Sequence, residues 1–170
     1  FEPWGPHRGN FGGELALEAG GILLPVDWVR AERLLYRTLR KRTPAALILL
    51  GLTESRKRLS LEKLALNLDF HETPPWRRQR PIERGGPWIR EGRLPWTRIL
   101  KRWSRSKLPA ALSHHAGTFL CNHIYYRALQ HFAGLCGFVH LPPLRVLGKA
   151  RQRRALQDLL AVVNGRAARP

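Results

Sequence analysis

At 170 residues the chain has the length of a single domain able to bury a real core, and 44% hydrophobic with 25% charged residues is ordinary globular composition. The longest apolar run, Ala45–Leu52, is of strand length and far short of a membrane-spanning helix. Two cysteines, Cys121 and Cys136, do not make a disulfide framework, so a reducing compartment such as the cytoplasm is the simpler expectation. The net charge of +18 is the outlier, with arginines and lysines concentrated in Arg77–Arg80, Lys101–Lys107 and Lys149–Arg154. Such clusters are either a solvated face or a nucleic-acid footprint, and without a recognition motif the solvated face is the simpler reading.

Phe1–Gly13 is punctuated by Gly and Pro and reads as a loop carrying the aromatics Phe1, Trp4 and Phe11. No basic-then-apolar segment opens the chain, and there is no methionine. The expectation is a chain that lacks its native N-terminus. Gly21–Pro25 reads as a short apolar strand. Val26–Arg42 reads as an amphipathic helix with Val29, Leu34, Leu35 and Leu39 inward. Ala45–Leu50 is a continuous apolar run of the buried parallel type. Strand, helix and strand at this spacing predict an α/β fold.

Gly51–Arg58 is a loop at the carboxyl end of that strand, where open α/β sheets place their sites. Leu59–Leu68 follows as a strand whose Glu62 is a carboxylate in an apolar segment, read either as an exposed residue or as a buried orienter of a histidine. Asp69–Arg93 is rich in Pro, Gly and Arg and reads as a long loop. Trp96–Lys107 is a helix with Ile99, Leu100 and Trp103 inward, and Pro109–Ser113 is a short strand. After the turn Ala116-Gly117-Thr118, Phe119, Leu120, Ile124 and Leu129 share the apolar face of a helix, with Thr118 as its expected N-cap. Cys121 then lies in the first turn, where free N–H groups and the helix dipole favour a thiolate. Gly137–Pro142 is a strand ended by proline, which puts His140 at a strand end. Gly148–Val163 is a terminal helix with Leu156, Leu159, Leu160 and Val163 inward.

A cysteine at a helix start, a histidine at a strand end and a carboxylate in an apolar segment form a nucleophile, base and orienter set. A competing zinc site would draw on His114, His115, Cys121 and His123. Adjacent histidines on a strand point to opposite faces, and no CxxC or HxxxH spacing is present. Cys136 reads as core filler. No Walker loop or GxGxxG supports nucleotide binding.

Several of these segments carry family motifs. Ala116-Gly117-Thr118-Phe119-Leu120-Cys121-Asn122 resembles the cysteine motif of the pyroglutamyl-peptidase I family. Glu62-Lys63-Leu64-Ala65-Leu66-Asn67 resembles its Glu-Arg-x-Ala-x-Asn motif, and Gly137-Phe138-Val139-His140-Leu141-Pro142 its Gly-Phe-x-His-x-Pro motif. Phe1, Pro3, Trp4, Gly5 and Asn10 match its opening loop, and Gly85-Gly86-Pro87 with Leu94-Pro95 match a segment over its site. The resemblance implies a three-layer α/β/α sandwich with a central, mostly parallel twisted sheet that lacks the family's first strand, in one catalytic domain spanning residues 1–170. It implies a thiol-dependent omega peptidase that releases N-terminal pyroglutamate from peptides, with Cys121 as nucleophile, His140 as general base and Glu62 as third member. It also implies a pocket walled by Phe1, Trp4, Asn10, Thr73, Phe119 and Leu120. No cofactor, no metal and no membrane is expected, the partners are pyroglutamyl peptides, and the family commonly forms homodimers or homotetramers.

Three departures stand against the pattern. Glu54 and Ser55 replace two loop glycines, Glu72 falls where an arginine near the oxyanion is usual with Arg77 or Arg78 as substitutes, and His114-His115 precede the turn. They leave open an inactive or respecialised homologue of the same fold. The charge leaves open a basic nucleic-acid-binding α/β domain.

Overall fold

Period-two alternation decides which side chains of the central strands face which layer. In the computed structural model, which describes residues 1–3, 9–42, 44–71 and 78–167, the longest such strand is β2 (Leu59–Leu66). β2 pairs in parallel with β6 (Ala110–His115), antiparallel with β7 (Leu135–Leu141) and antiparallel with β5 (Ile89–Glu91). Glu62 has both Ser113 and Phe138 as partners, and Leu64 has both His115 and Glu91, so β6 takes one edge of β2 while β7 and β5 share the other. β1 (Ala46–Leu52) adds in parallel beyond β7. The sheet is therefore mixed, with two parallel and two antiparallel pairings. A separate hairpin joins β3 (Asp69–His71) to β4 (Arg78–Arg80).

Helices cover both faces. Leu59 and Leu61 of β2, with Val139 and Leu141 of β7, pack in a core with α1 (Phe11–Glu18), α3 (Trp96–Arg105) and α5 (Lys149–Ala167). The other face of the sheet, with Leu49 and Phe138, packs under α2 (Trp28–Lys41) and α4 (Leu120–His131). By alternation Gly51, Glu62 and His140 point to this second face, beneath α4.

Local chemistry explains the helix ends. Asp27 caps α2 by accepting from the Arg30 amide at 2.7 Å. Asn10 caps α1, and its Nδ2 donates to the Phe1 carbonyl at 2.8 Å. α3 buries Ile99 and Trp103, one turn apart, and Trp103 Nε1 donates to the Ala155 carbonyl at 2.8 Å. Asp158 of α5, nearly inaccessible, accepts from Arg102, Ser106 and Arg154. These bonds seam α3 to α5.

The structure corrects several expectations. The expected loop at Phe1–Gly13 turns helical at Phe11, because Asn10 supplies a cap that outweighs Gly12 and Gly13. Gly21–Pro25 forms no strand; its Leu24 carbonyl accepts from the Glu2 amide. Val29 is 56% exposed, and Ala31 and Leu35 supply the inward stripe of α2. Leu100 is only partly buried. The Asp69–Arg93 stretch is not all loop, since it holds β3, β4 and β5. Between Gly21–Leu24 and the outer edge of β1 lies an apolar cavity of about 340 Å³.

The α3–α5 seam generates a test. Trp103→Phe removes the indole bond to the Ala155 carbonyl and leaves a void between α3 and α5, so a loss of about 1–3 kcal/mol in unfolding free energy is expected, read as a lower urea midpoint at unchanged slope.

Candidate active site

Gly117 makes the turn before α4, at φ +86°, in the left-handed region that favours glycine. Its amide donates to His115 Nδ1 at 3.1 Å, so this histidine braces the turn. The N-cap of α4 is Phe119, with extended backbone and no side-chain bond, rather than the expected Thr118. The first cross-turn bond runs from the His123 amide to the Phe119 carbonyl. Cys121 therefore lies in the first turn, whose amides have no partner within the helix.

Its thiol hangs over the sheet. A Cβ placed on Gly51 would stand 3.1 Å from Cys121 Sγ and 2.7 Å from the Phe138 ring, so only glycine lets β1 pass beneath the sulfur. Gly51 pairs directly with His140 of β7. Cys121 stands near enough to His140 to favour its charged form, and His140 Nδ1 lies 2.8 Å from Glu62 Oε1. With Nδ1–H given to the carboxylate, the other ring nitrogen is left for the thiol. Burial opposes the charge on His140, but Cys121 and Glu62 outweigh it and raise its pKa from 6.5 to about 9.

Glu62 is completely buried, so of its two readings the buried one is observed. Arg56 Nη2 stands 3.4 Å from Glu62 Oε1 and donates to Ser113 Oγ at 3.0 Å. The Tyr125 hydroxyl donates to the Glu62 main-chain carbonyl at 3.0 Å, bracing β2 against α4. The thiol, imidazole and carboxylate thus stand in series, an arrangement that makes and protonates a sulfur nucleophile beside free amides.

Of the expected wall residues, Phe119 is 47% exposed and meets Phe70 edge-on at 5.5 Å. Phe1 is half-buried and packs, like Cys121, against the α2–α4 core. Leu120 lies in that core, 7% exposed. Asn10 is engaged with Phe1 and the start of α1. Trp4 and Thr73 lie outside the described residues, as do Glu72 and Arg77, and nothing is described of the Arg78 side chain. Glu54 points to the surface and pairs with Arg145 at 2.6 Å, and Ser55 Oγ lies 3.3 Å from Thr53 Oγ1. Cys136 is buried, which pushes its thiol up to about 12. Among the described residues no three His, Cys, Asp or Glu side chains are grouped to hold a metal.

Sequence reasoning gave no role to Arg56, His115 or Tyr125. Their partners are Glu62 and Ser113, Gly117, and the Glu62 backbone. The His115 and Arg56–Glu62 contacts are close in sequence, two and six residues apart; the Arg56–Ser113 and Tyr125 contacts join distant segments and left no local signal.

Known proteins resemble the chain in both sequence and fold. The sequence profile of the family described as Pyroglutamyl peptidase matches residues 17–156. The chain is 32% identical over 154 residues to the pyrrolidone-carboxylate peptidase of Halalkalibacterium halodurans, covering 84% of this chain and 75% of that one. It is 31% identical over 163 residues to that of Deinococcus radiodurans, with the same coverages. The crystal structure of pyrrolidone carboxyl peptidase from Thermus thermophilus superposes with a TM-score of 0.84 at 32% identity, covering 95% of this chain and 96% of the other. That from Pyrococcus furiosus superposes at 0.91 with 24% identity over 98% and 96%, which speaks for the fold.

Two measurements check the site. NMR titration of His140 should give a pKa near 9, and Glu62→Gln should bring it down, since a carboxamide offers no negative charge. Because the folded pKa is the raised one, the stability that this pair contributes is full below about 6.5 and fades as pH rises through about 9. Gly51→Ala should displace Phe138 and the sulfur, lowering stability by about 1–3 kcal/mol and lowering the His140 pKa as Cys121 moves away.

Proposed function

The chain belongs to the pyroglutamyl peptidase family, and from that premise we propose that Cys121, His140 and Glu62 carry out its chemistry. The protein is a cysteine peptidase of the pyroglutamyl type, a hydrolase that acts on peptides with an N-terminal pyroglutamyl residue. The observation that supports the assignment of roles is the unbroken line from the Cys121 thiol through His140 to the buried Glu62.

His140 holds the proton of Cys121, and the thiolate attacks the carbonyl carbon of the pyroglutamyl amide. The free amides at the start of α4 bind the oxygen as it takes up negative charge. Collapse of the tetrahedral intermediate breaks the C–N bond, and His140 gives its proton to the departing amine. Water, deprotonated by His140, then attacks the thioester; its OH joins the acyl carbon, collapse breaks the C–S bond, pyroglutamate leaves, and His140 again holds a proton beside the Cys121 thiolate. Glu62 keeps the imidazole oriented and offsets its positive charge, with Arg56 limiting the excess negative charge.

Specificity follows from the wall. Phe70 and Phe119 stand beside the cysteine turn and offer flat apolar surface to an uncharged lactam ring. A free α-ammonium there would lose hydration without gaining a counter-charge. Phe1 and Leu120, and Trp4, Asn10 and Thr73 by the family resemblance, complete the proposed pocket. The same reading places residues 1–170 in one catalytic domain, active with a reduced thiol and therefore suited to the cytoplasm. No helix among the described residues is long and apolar enough to cross a membrane. It extends to a homodimer or homotetramer, for which Trp88, 80% exposed, and Ile89 on edge strand β5 supply apolar surface.

Hydrolysis of a fluorogenic pyroglutamyl amide under reducing conditions tests the assignment. Turnover is expected from the native chain and from Cys136→Ala, and Cys121→Ser should lower it by at least about 1,000-fold. Turnover that survives Cys121→Ser would remove Cys121 from its role.

A further inference from the structure

Cys121 is followed by two residues that turn away from the thiol. Asn122 takes hold of the chain after β2: its Oδ1 accepts from the Leu66 amide at 2.8 Å, and its Nδ2 donates to the carbonyls of Leu66 and Leu68, both at 2.9 Å. Next along, the Phe70 amide donates to the Thr118 carbonyl at 2.8 Å, and the Phe70 ring meets Phe119. Between these contacts stands His123, 6% exposed. Its Nδ1 is 2.7 Å from Asp69 Oδ2 on β3, and its Nε2 is 2.8 Å from Glu32 Oε2 on α2. The mechanism above uses none of these groups.

A neutral imidazole has one N–H and one lone pair, so it satisfies one carboxylate and repels the other. Two carboxylates at opposite ring nitrogens within 2.8 Å therefore call for the doubly protonated ring. We infer that His123, as an imidazolium clamped between Asp69 and Glu32, is a positioning residue that sets where the Phe70–Phe119 wall stands beside Cys121, and so governs binding of the pyroglutamyl ring more than the chemistry. The inference rests on the peptidase reading for its substrate. Asp69 is the direct neighbour of Phe70, so the clamp pulls on the wall through one residue. The Asn122 bonds are uncharged and persist when the clamp opens, which leaves the fold and the thiol in place, while the Phe70–Thr118 backbone bond, next to Asp69, is loosened.

The surrounding charges fit. On α2, Glu32 bonds His123, and Tyr36 one turn on helps hold its charge; on α4, Arg127 Nε stands 3.4 Å from Glu32; on β3, Asp69 completes the set. Burial opposes protonation of His123, but the bonds and charges of Asp69 and Glu32 outweigh it and hold its pKa above the ordinary 6.5. Glu32 is correspondingly held below the usual carboxylate value: burial raises it, but His123, Tyr36 and Arg127 prevail. A raised histidine pKa means that the clamp is fully closed below about 6.5 and opens as pH rises through the folded value.

Steady-state kinetics of the full chain on a fluorogenic pyroglutamyl amide from about pH 6 to 9 test this, with hydrogen exchange of the Phe70 amide read alongside. For the native chain KM should climb about tenfold across the range. His123→Gln should show the high KM at every pH, with kcat within about twofold and Phe70 exchange about tenfold faster. Glu32→Gln, which keeps a hydrogen-bonding group but removes one charge, should shift the rise in KM to lower pH, and it decides the matter if His123→Gln does not fold. A KM that is flat with pH and unchanged in folded His123→Gln overturns the clamp, as does a parallel loss of kcat and melting temperature with unaltered KM. Absence of turnover in the native chain overturns the peptidase reading instead, and Phe70 exchange then judges His123 alone: exchange unchanged by His123→Gln overturns the inference.

Discussion

The 2.8 Å contact between the Glu62 carboxylate and the His140 imidazole is the constraint on which the site depends. A fully buried carboxylate without a counter-charge costs several kcal/mol, so it stays ionised only where a cation and hydrogen bonds meet it. The pairing of Ser60 with His140 places Glu62, two residues further along β2, on the same face of the sheet as His140. The antiparallel register between β2 and β7 thereby does what no local segment does, and the imidazole is drawn to its charged form in return. Gly51, Tyr125 and Arg56 serve this contact by making room, bracing the backbone and limiting the negative charge.

One turn of α4 serves two polar systems at once. Residues 121 and 123 are two apart, roughly 200° around a helix, so their side chains leave on nearly opposite sides. The thiol faces β1 and β7, and the second imidazole faces α2 and β3. Both histidines have raised pKa values but for different ends: His140 lies between the Cys121 thiol and the Glu62 carboxylate, while His123 ties two elements together.

Legibility in the sequence followed the range of the interactions. β1, α2, α3 and α5 were readable because an apolar run or a 3.6-residue stripe is a local signal, and each stands within a few residues of its expected bounds. α1 was hidden by Gly12 and Gly13, because its cap, Asn10, also depends on contact with Phe1. Thr118 looked like a cap because Thr caps well in general, but the turn at Gly117 places Phe119 at that position. Cys121, Glu62 and His140 were legible as motif members; the burial of Glu62 was not, since it depends on strands contributed by residues far downstream. His123 stood out only as a candidate zinc ligand for the same reason, its partners being 54 and 91 positions away.

The same non-local pairing governs how the chain reaches its native state. β1 lies against β7 with Ala46 opposite Leu135, and β2 waits for Ser113 and Phe138. Among the described strands, apart from the small β3–β4 hairpin, none pairs with its immediate successor, so loop-closure entropy opposes the early contacts of the main sheet. During synthesis at about 5–20 residues per second, β1 spends about 5–20 s outside the ribosome before its partner is made. Through that interval its apolar run Leu47–Leu50 waits without β7, and helix docking or chaperones keep that edge from pairing with another chain.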